Sequence, residues 1–327
     1  MEKFFAKLSG IGSCVPSKVL SNQDLEKMVD TSDEWITTRT GIRERRIASP
    51  QETTSSLALE AARRALQMAQ VDPRELDLIV VATVTPDMFF PATACLLQRE
   101  LGAPQAACFD LEAGCTGFVY ALVMAEKYLI GDGGNKALVV GAETLSKIVD
   151  WEDRTTCVLF GDGAGACVLE KTDHPGLIAS YLGSDGGGAH LLELPAGGSR
   201  IPASRESVEK RLHYIKMSGN EVFKFAVRIM EEASREVAKR AGVGLEEVAL
   251  FIPHQANIRI VDSAARRLKI PQEKIFVNVH KYGNTSSASI PIALDEAYRE
   301  GKIKEGDLVL LVGFGAGLTW GSALIRW

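Results

Sequence analysis

Apolar positions along this chain follow two alternating patterns, one of helical period and one of short unbroken runs. Over 53–70, Leu57, Ala61, Ala65, Leu66 and Met68 recur at helical spacing, and Asp72-Pro73 ends the run. Residues 76–83 (LDLIVVAT) form a continuous apolar stretch, the mark of a strand buried on both faces. The order then repeats, predicting a helix over 92–101, a strand over 107–111, a helix over 116–130 and a strand over 136–140. Ser21 with Asp24, and Thr31 with Glu34, read as capping boxes at helix starts. Such alternation predicts an α/β fold around a central sheet.

The second half repeats the first. A long amphipathic helix over 220–240 precedes a strand over 248–252, a helix over 258–268, a strand over 275–279, a helix over 287–299 and a strand over 307–311. The run Ala-Leu-Val-Val-Gly ending at Gly141 is matched by Leu-Leu-Val-Gly ending at Gly313, and each half closes with a Gly-rich turn, at Phe160 and Phe314, that runs into a last strand. We read an internal duplication with a pseudo-twofold axis, dividing the chain into 1–175 and 176–327. Loops at equivalent strand ends then converge on one pocket. The irregular segment 183–211, with Gly186-Gly187-Gly188 and Gly197-Gly198, is expected to be a linker or a loop over the site.

Composition narrows the function. The chain has 327 residues, a net charge of −5 and no apolar run near membrane-spanning length. An acidic chain lacks the basic footprint of a general nucleic-acid binder, and the N-terminus turns polar too soon for a secretory signal, so a cytoplasmic enzyme is expected. The six cysteines (14, 95, 108, 115, 157 and 167) contain no Cys-x-x-Cys pair, which predicts neither a disulfide framework nor a metal site.

Cys115 stands apart from the other five. It follows the 107–111 strand and opens the apolar helix that begins at Gly117, where free N–H groups and the helix dipole favour a thiolate and are expected to lower the thiol pKa. An inert cysteine at a strand-to-helix turn fits the same motif, and the motif alone leaves both open. His254, in Pro253-His-Gln-Ala-Asn257, and Asn284, in Gly283-Asn-Thr-Ser286, also fall at expected strand ends, where a structural histidine and a turn-forming asparagine are the plain alternatives. Together the three supply a thiol for an acyl-enzyme and two donors for a developing oxyanion or enolate, with a backbone N–H of Phe314-Gly-Ala-Gly317 as a further donor.

These blocks, in this order and over essentially the whole chain, resemble the β-ketoacyl-acyl-carrier-protein synthase III family of the thiolase superfamily. Asp30-Thr-Ser-Asp-Glu-Trp35, Arg39-Thr-Gly-Ile-Arg-Glu-Arg45, Phe160-Gly-Asp-Gly-Ala-Gly165 and Thr319-Trp-Gly-Ser-Ala323 belong to the same pattern. The resemblance implies a thiolase-like α-β-α-β-α fold and a decarboxylative Claisen condensation with no cofactor and no metal. Cys115 would carry a short acyl group from acyl-CoA, while His254 and Asn284 stabilise the enolate from malonyl-acyl carrier protein. It further implies an oxyanion hole from the N–H groups of Cys115 and Ala316. Thr31, Trp35, Arg39, Arg154, Gly219 and Asn257 would line the CoA and pantetheine path. Phe90 would cross a homodimer interface into the partner's acyl pocket, alongside a lining around Leu145 and Val158, and Lys224, Arg259, Arg266 and Arg267 would dock the carrier protein. Ala316 departs from the family's Gly-Gly-Gly turn, where a positive φ would strain it.

Three rivals remain at this level. A papain-like hydrolase shares the Cys, His, Asn order, with Cys115 and His254 separated by 139 residues. Another thiolase-fold enzyme would need a second cysteine in the C-terminal Gly-rich turn or an acidic base, and neither is placed. A catalytically silent acyl-CoA binder would use the same fold.

Overall fold

The computed structural model describes residues 4–131 and 133–327. Residues 1–3, the start of the segment read as too polar for a leader, lie outside the described residues. The first half builds a five-stranded sheet from β1 (Phe5–Cys14), β2 (Leu78–Ala82), β3 (Ala107–Leu111), β4 (Lys136–Thr144) and β5 (Asp162–Thr172). Its order is β1-β5-β4-β2-β3, with β2 parallel to both β3 and β4 and with β5 antiparallel to both β1 and β4.

The second half builds a four-stranded sheet from β6 (Leu177–Ser184), β7 (Leu250–Pro253), β8 (Leu308–Gly315) and β9 (Thr319–Arg326), in the order β6-β9-β8-β7. Directions match position by position: β7 runs parallel to β8, and β9 runs antiparallel to both β8 and β6. The counterpart of β3 is reduced to one parallel bridge between Phe251 and Ile275.

The strand expected over 275–279 is therefore absent, and its last residue already belongs to the helical turn Val279–Tyr282. The buried Gln255 side chain replaces the ladder. Its Oε1 accepts from the N–H groups of Asn278 (3.0 Å) and Val279 (3.2 Å), and its Nε2 donates to the carbonyls of Pro253 (2.8 Å) and Phe276 (3.1 Å). A side chain thus satisfies the buried backbone groups that strand pairing would otherwise have to satisfy.

Among the described residues seven helices have eight or more residues: α1 (Asp33–Thr40), α2 (Thr54–Ala69), α3 (Thr93–Leu101), α4 (Gly117–Ile130), α5 (Gly219–Ala241), α6 (Ile258–Leu268) and α7 (Ser289–Arg299). In β2, Leu78, Val80 and Ala82 pack inward with α4 and α7, while Ile79 and Val81 pack outward with α2 and α3. That two-residue alternation inside an all-apolar run explains how one strand serves two cores. Helices α5 and α6 cover the outer face of the second sheet. The layers are α-β-α-β-α, as expected.

Helix α1 begins one residue later than the capping box read from Thr31 and Glu34. Ser32 is the N-cap and accepts from Trp35 N–H at 3.1 Å, and the Asp33 N–H donates to Glu26 at 2.6 Å, so Glu34 forms no capping box here. The Thr31 hydroxyl is buried without a hydrogen-bond partner.

Candidate active site

Cys115 lies in the 3-10 turn Gly114–Thr116 that feeds straight into α4, placed there by β3. His254 follows β7, its N–H bonded to the Val312 carbonyl of β8 at 2.8 Å. Asn284 is gripped by the first half's Gly-rich turn: its N–H reaches the Leu159 carbonyl at 2.8 Å and its carbonyl accepts the Gly161 N–H at 3.0 Å. All three residues are buried and border one narrow cavity of about 90 Å³. Residues 139 and 169 positions from Cys115 in the chain thus meet it in space.

The Asn284 amide is oriented by its neighbour. Its Oδ1 accepts the Ser286 N–H at 2.8 Å, which leaves Nδ2 as the available donor. His254 Nδ1 lies 2.6 Å from the Ser289 hydroxyl, which also accepts the Gln255 N–H at 3.4 Å. The Ser289 hydroxyl can donate to Nδ1, the arrangement that puts the ring proton on Nε2. Nε2 is buried and has no protein partner. Burial holds the imidazole pKa down to about 3, so the ring is a neutral donor. Phe314 packs edge-on against it, with ring centroids 5.3 Å apart.

The thiol departs from expectation. Burial pushes Cys115 up to about 12, outweighing the lowering by the Ser286 side chain and by the Cys115 N–H. The helix start was expected to lower it, but desolvation of a thiolate in a closed pocket is the larger effect. The resting residue is a thiol.

Two glycines bring the Cys115 and Ala316 N–H groups together. A Cβ on Gly114 would stand 2.7 Å from the Ala316 nitrogen, and a Cβ on Gly315 would stand 2.4 Å from the Cys115 nitrogen. Gly114 also has φ +54. The two loops cross backbone to backbone, and only glycine at these positions permits it. Ala316 itself carries no positive φ; the left-handed residues are Gly317 (φ 71) and Leu318 (φ 45). The left-handed conformation anticipated at Ala316 falls instead on Gly317, which adopts it freely, and on Leu318, which bears the strain.

On its other side Cys115 borders a larger chamber of about 460 Å³, walled by Val84, Leu145, Ile148, Phe160, Leu192 and Ile215. Leu192 and Ile215 come from or flank the 183–211 segment, which therefore covers the site. Val158, expected in this lining, is buried behind it, where its carbonyl accepts from Arg45 at 2.8 Å.

Trp35, Arg39 and Arg154 are brought together at the surface. The guanidinium groups lie 4.9 Å (Arg39) and 5.4 Å (Arg154) from the Trp35 ring centroid. Asn257 caps α6, donates to the Arg39 carbonyl at 3.0 Å and, with Gly219, borders the narrow cavity. Lys224, Arg259, Arg266 and Arg267 are exposed on the packed pair α5 and α6, where Arg259 covers Phe223 at 5.4 Å and Arg267 lies 3.4 Å from Glu231. Phe90 is 84% exposed and borders neither cavity of its own chain.

Sequence reasoning missed Ser289 and the buried acid Glu143, single polar residues at or inside apolar elements. Among the described residues no group of His, Cys, Asp or Glu forms a metal cluster, and no helix is long and apolar enough to cross a membrane.

Comparison with known proteins agrees with this geometry. Residues 109–186 match the family described as 3-oxoacyl-[acyl-carrier-protein (ACP)] synthase III, and residues 238–327 match its C-terminal family. The chain is 58% identical to the β-ketoacyl-[acyl-carrier-protein] synthase III of Caldanaerobacter subterraneus subsp. tengcongensis, over 100% of this chain and 99% of that protein. The structure is similar to 3-oxoacyl-[acyl-carrier-protein] synthase III from Aquifex aeolicus VF5, with TM-score 0.91, 52% identity and coverage of 98% of this chain and 100% of that one. It is likewise similar to the Pseudomonas aeruginosa PAO1 enzyme of that name, with TM-score 0.92, 42% identity and coverage of 99% and 98%.

Proposed function

The chain belongs to the 3-oxoacyl-[acyl-carrier-protein] synthase III family, and from that premise we propose how its residues carry out the condensation that initiates fatty-acid synthesis. Cys115 takes the acyl group of a short acyl-CoA as a thioester, releasing CoA. The tetrahedral oxyanion is met by the Cys115 and Ala316 N–H groups. Malonyl-acyl carrier protein then enters, loses CO2, and its enolate oxygen accepts from His254 Nε2 and Asn284 Nδ2. The carbanion attacks the acyl-Cys115 carbonyl, giving β-ketoacyl-acyl carrier protein and the Cys115 thiolate, which takes up a proton from solvent to restore the thiol. Decarboxylation generates the nucleophile, so two neutral donors suffice and no strong base is needed at that step.

The observation that carries this reading is the convergence of Cys115, His254 and Asn284 on one cavity beside the crossed glycine loops. In the same reading Trp35 and Arg154 part to hold the adenine, Thr31 and Arg39 stand nearby, and Asn257 and Gly219 flank the pantetheine arm. Lys224, Arg259, Arg266 and Arg267 receive the acidic carrier protein, and Phe90 reaches the acyl chamber of a second copy in a homodimer. The two duplicated halves, 1–175 and 176–327, contribute the nucleophile and the two donors respectively. Incubation with acetyl-, isobutyryl- or octanoyl-CoA followed by mass spectrometry tests it: an acyl adduct on the peptide containing Cys115 is expected. Adduct-free enzyme that still condenses would sink the mechanism.

A further inference from the structure

The two loops that cross at the nucleophile are joined by side chains. Among the described residues no backbone-to-backbone hydrogen bond ties 113–116 to 315–319. Gly114 and Gly315 let the chains come close, but closeness alone fixes neither the angle nor the register of two turns. Threonine hydroxyls supply the link. Thr319 Oγ1 donates to the Ala113 carbonyl of the opposite loop at 2.9 Å, and the Ala316 carbonyl of its own turn lies 3.2 Å away. Thr116 Oγ1 lies 3.0 Å from Thr319 Oγ1 and 3.3 Å from the Thr319 carbonyl. A hydroxyl has one proton and two lone pairs. With the Thr319 proton on the Ala113 carbonyl, Thr116 can donate to Thr319, and one short chain of bonds then closes over Gly114 and Cys115.

Both threonines are anchored. Thr116 is wholly buried and ends the 3-10 turn that contains Cys115. Glycines in β8 and β9 make room for it: a Cβ on Gly321 would stand 2.9 Å from its methyl, and a Cβ on Gly313 would stand 3.4 Å from its Cα. Thr319 opens β9, faces Gly315 of β8 in the ladder and borders the larger chamber beside Cys115 and Ala316. One hydroxyl is thus fixed to the nucleophile's loop and the other to the second sheet.

We propose that Thr319 and Thr116 are positioning residues for acyl transfer, their hydroxyls clamping the crossing so that the Cys115 and Ala316 N–H groups converge on one oxyanion. The role rests on the assignment of those two N–H groups to the oxyanion. Donors already in place need no rearrangement when charge develops, and a hydrogen bond weakens steeply as its angle opens. In this role neither hydroxyl gives up a proton.

Thr319→Val keeps the shape of the side chain and removes its bonds. Single-turnover acylation of Cys115 by saturating acetyl-CoA is expected to slow roughly tenfold, a part of the roughly 100-fold that one whole donor carries. The acetyl-CoA concentration giving half the maximal rate should not change. Thr116→Val, which leaves the bond to Ala113, should slow acylation less. Thr319→Ser keeps the hydroxyl and should return the rate to within a factor of about two of the parent. Alkylation of the same thiol by iodoacetamide displaces iodide from a saturated carbon and builds no oxyanion, so its rate in Thr319→Val should match the parent. Parent-like acylation in Thr319→Val, or a slow Thr319→Ser, overturns the clamp. So does an equal loss in alkylation, because the thiol itself would then have moved. Gly315→Ala assayed alongside separates the clamp from the assignment beneath it. If Gly315→Ala is slow and Thr319→Val is not, the clamp alone fails; if neither is slow, the oxyanion assignment fails with it.

Discussion

Gly315 passes the Cys115 amide so closely that a Cβ at position 315 would lie 2.4 Å from the nitrogen, while Gly114 approaches the Ala316 nitrogen in the reciprocal way. The nucleophile's loop and the C-terminal turn come from opposite halves of the chain, and they meet with no side chain between them. The two N–H groups assigned to the oxyanion depend on that crossing. Gly315→Ala is expected to lower kcat for acyl transfer by roughly 100-fold, the order lost when one oxyanion donor is displaced. Equilibrium binding of acyl-CoA should be little changed. Ala316→Gly is the control: position 316 lies outside the left-handed region, so kcat should stay within a factor of about two.

His254 and Asn284 are assigned to the second half-reaction, and His254→Ala and Asn284→Ala should therefore spare acyl-Cys115 formation more than malonyl decarboxylation. The pH dependence has a definite sign. The imidazole pKa is lowered to about 3, so the ring stays neutral until pH falls through that value. Decarboxylation by preformed acyl-enzyme should show no loss centred near pH 6.5, the ordinary histidine value. A single-turnover measurement of CO2 release that drops with a midpoint there would show that the ring is not held neutral.

Gln255 substitutes for a strand, and its removal should be felt in stability. Its side chain makes four hydrogen bonds to backbone groups between 253 and 279. Gln255→Leu keeps the bulk and strands those groups, for an expected loss of about 3 kcal/mol in denaturant unfolding. A loss below about 1 kcal/mol would mean that water or relaxed backbone replaces the amide.

The same residue marks the limit of what the sequence discloses. Apolar patterning located β2, α4 and α6 because their buried positions recur locally along the chain. It read a strand over 275–279 because Ile275, Val277 and Val279 alternate as a strand would, and no local signal tells that a side chain 20 residues earlier supplies the hydrogen bonds. Cys115, His254 and Asn284 were legible through the duplication and the resemblance, since their positions follow from topology. The thiol's raised pKa was not, because desolvation depends on what closes over the sulfur. Glu143 was invisible for the same reason: the run Val-Val-Gly-Ala-Glu-Thr gives no hint that the acid points inward at five neutral donors.

Two guanidinium groups lie over the Trp35 ring, at 4.9 Å (Arg39) and 5.4 Å (Arg154) from its centroid, and Arg154 also donates to the Asp30 carbonyl at 2.9 Å. A flat base entering beside Trp35 must displace Arg154 and then be covered by it. Trp35→Ala and Arg154→Ala should raise KM for acyl-CoA by roughly tenfold, the loss of about 1.4 kcal/mol of stacking and cation–π contact. Reaction of Cys115 with a short pantetheine thioester that lacks the nucleotide should be unaffected. Equal losses with both donors would place the defect in the acyl site.

Phe89 and Phe90 are 81% and 84% exposed, and β3, the edge of the first sheet, leaves Phe109 at 40%. Large apolar side chains beside an open strand edge mark a surface that another chain covers. In the proposed homodimer a second copy covers this surface and its Phe90 enters the acyl chamber. Phe89→Asp with Phe109→Asp should shift the protein from dimer to monomer in sedimentation velocity, by burying charge at the core of the interface. Phe90→Ala should leave the dimer intact and raise kcat/KM for octanoyl-CoA relative to acetyl-CoA by widening the partner's chamber. A wild-type protein that sediments as a monomer while still selecting its primer would place that selectivity in Leu145, Leu192 and Ile215 of its own chain.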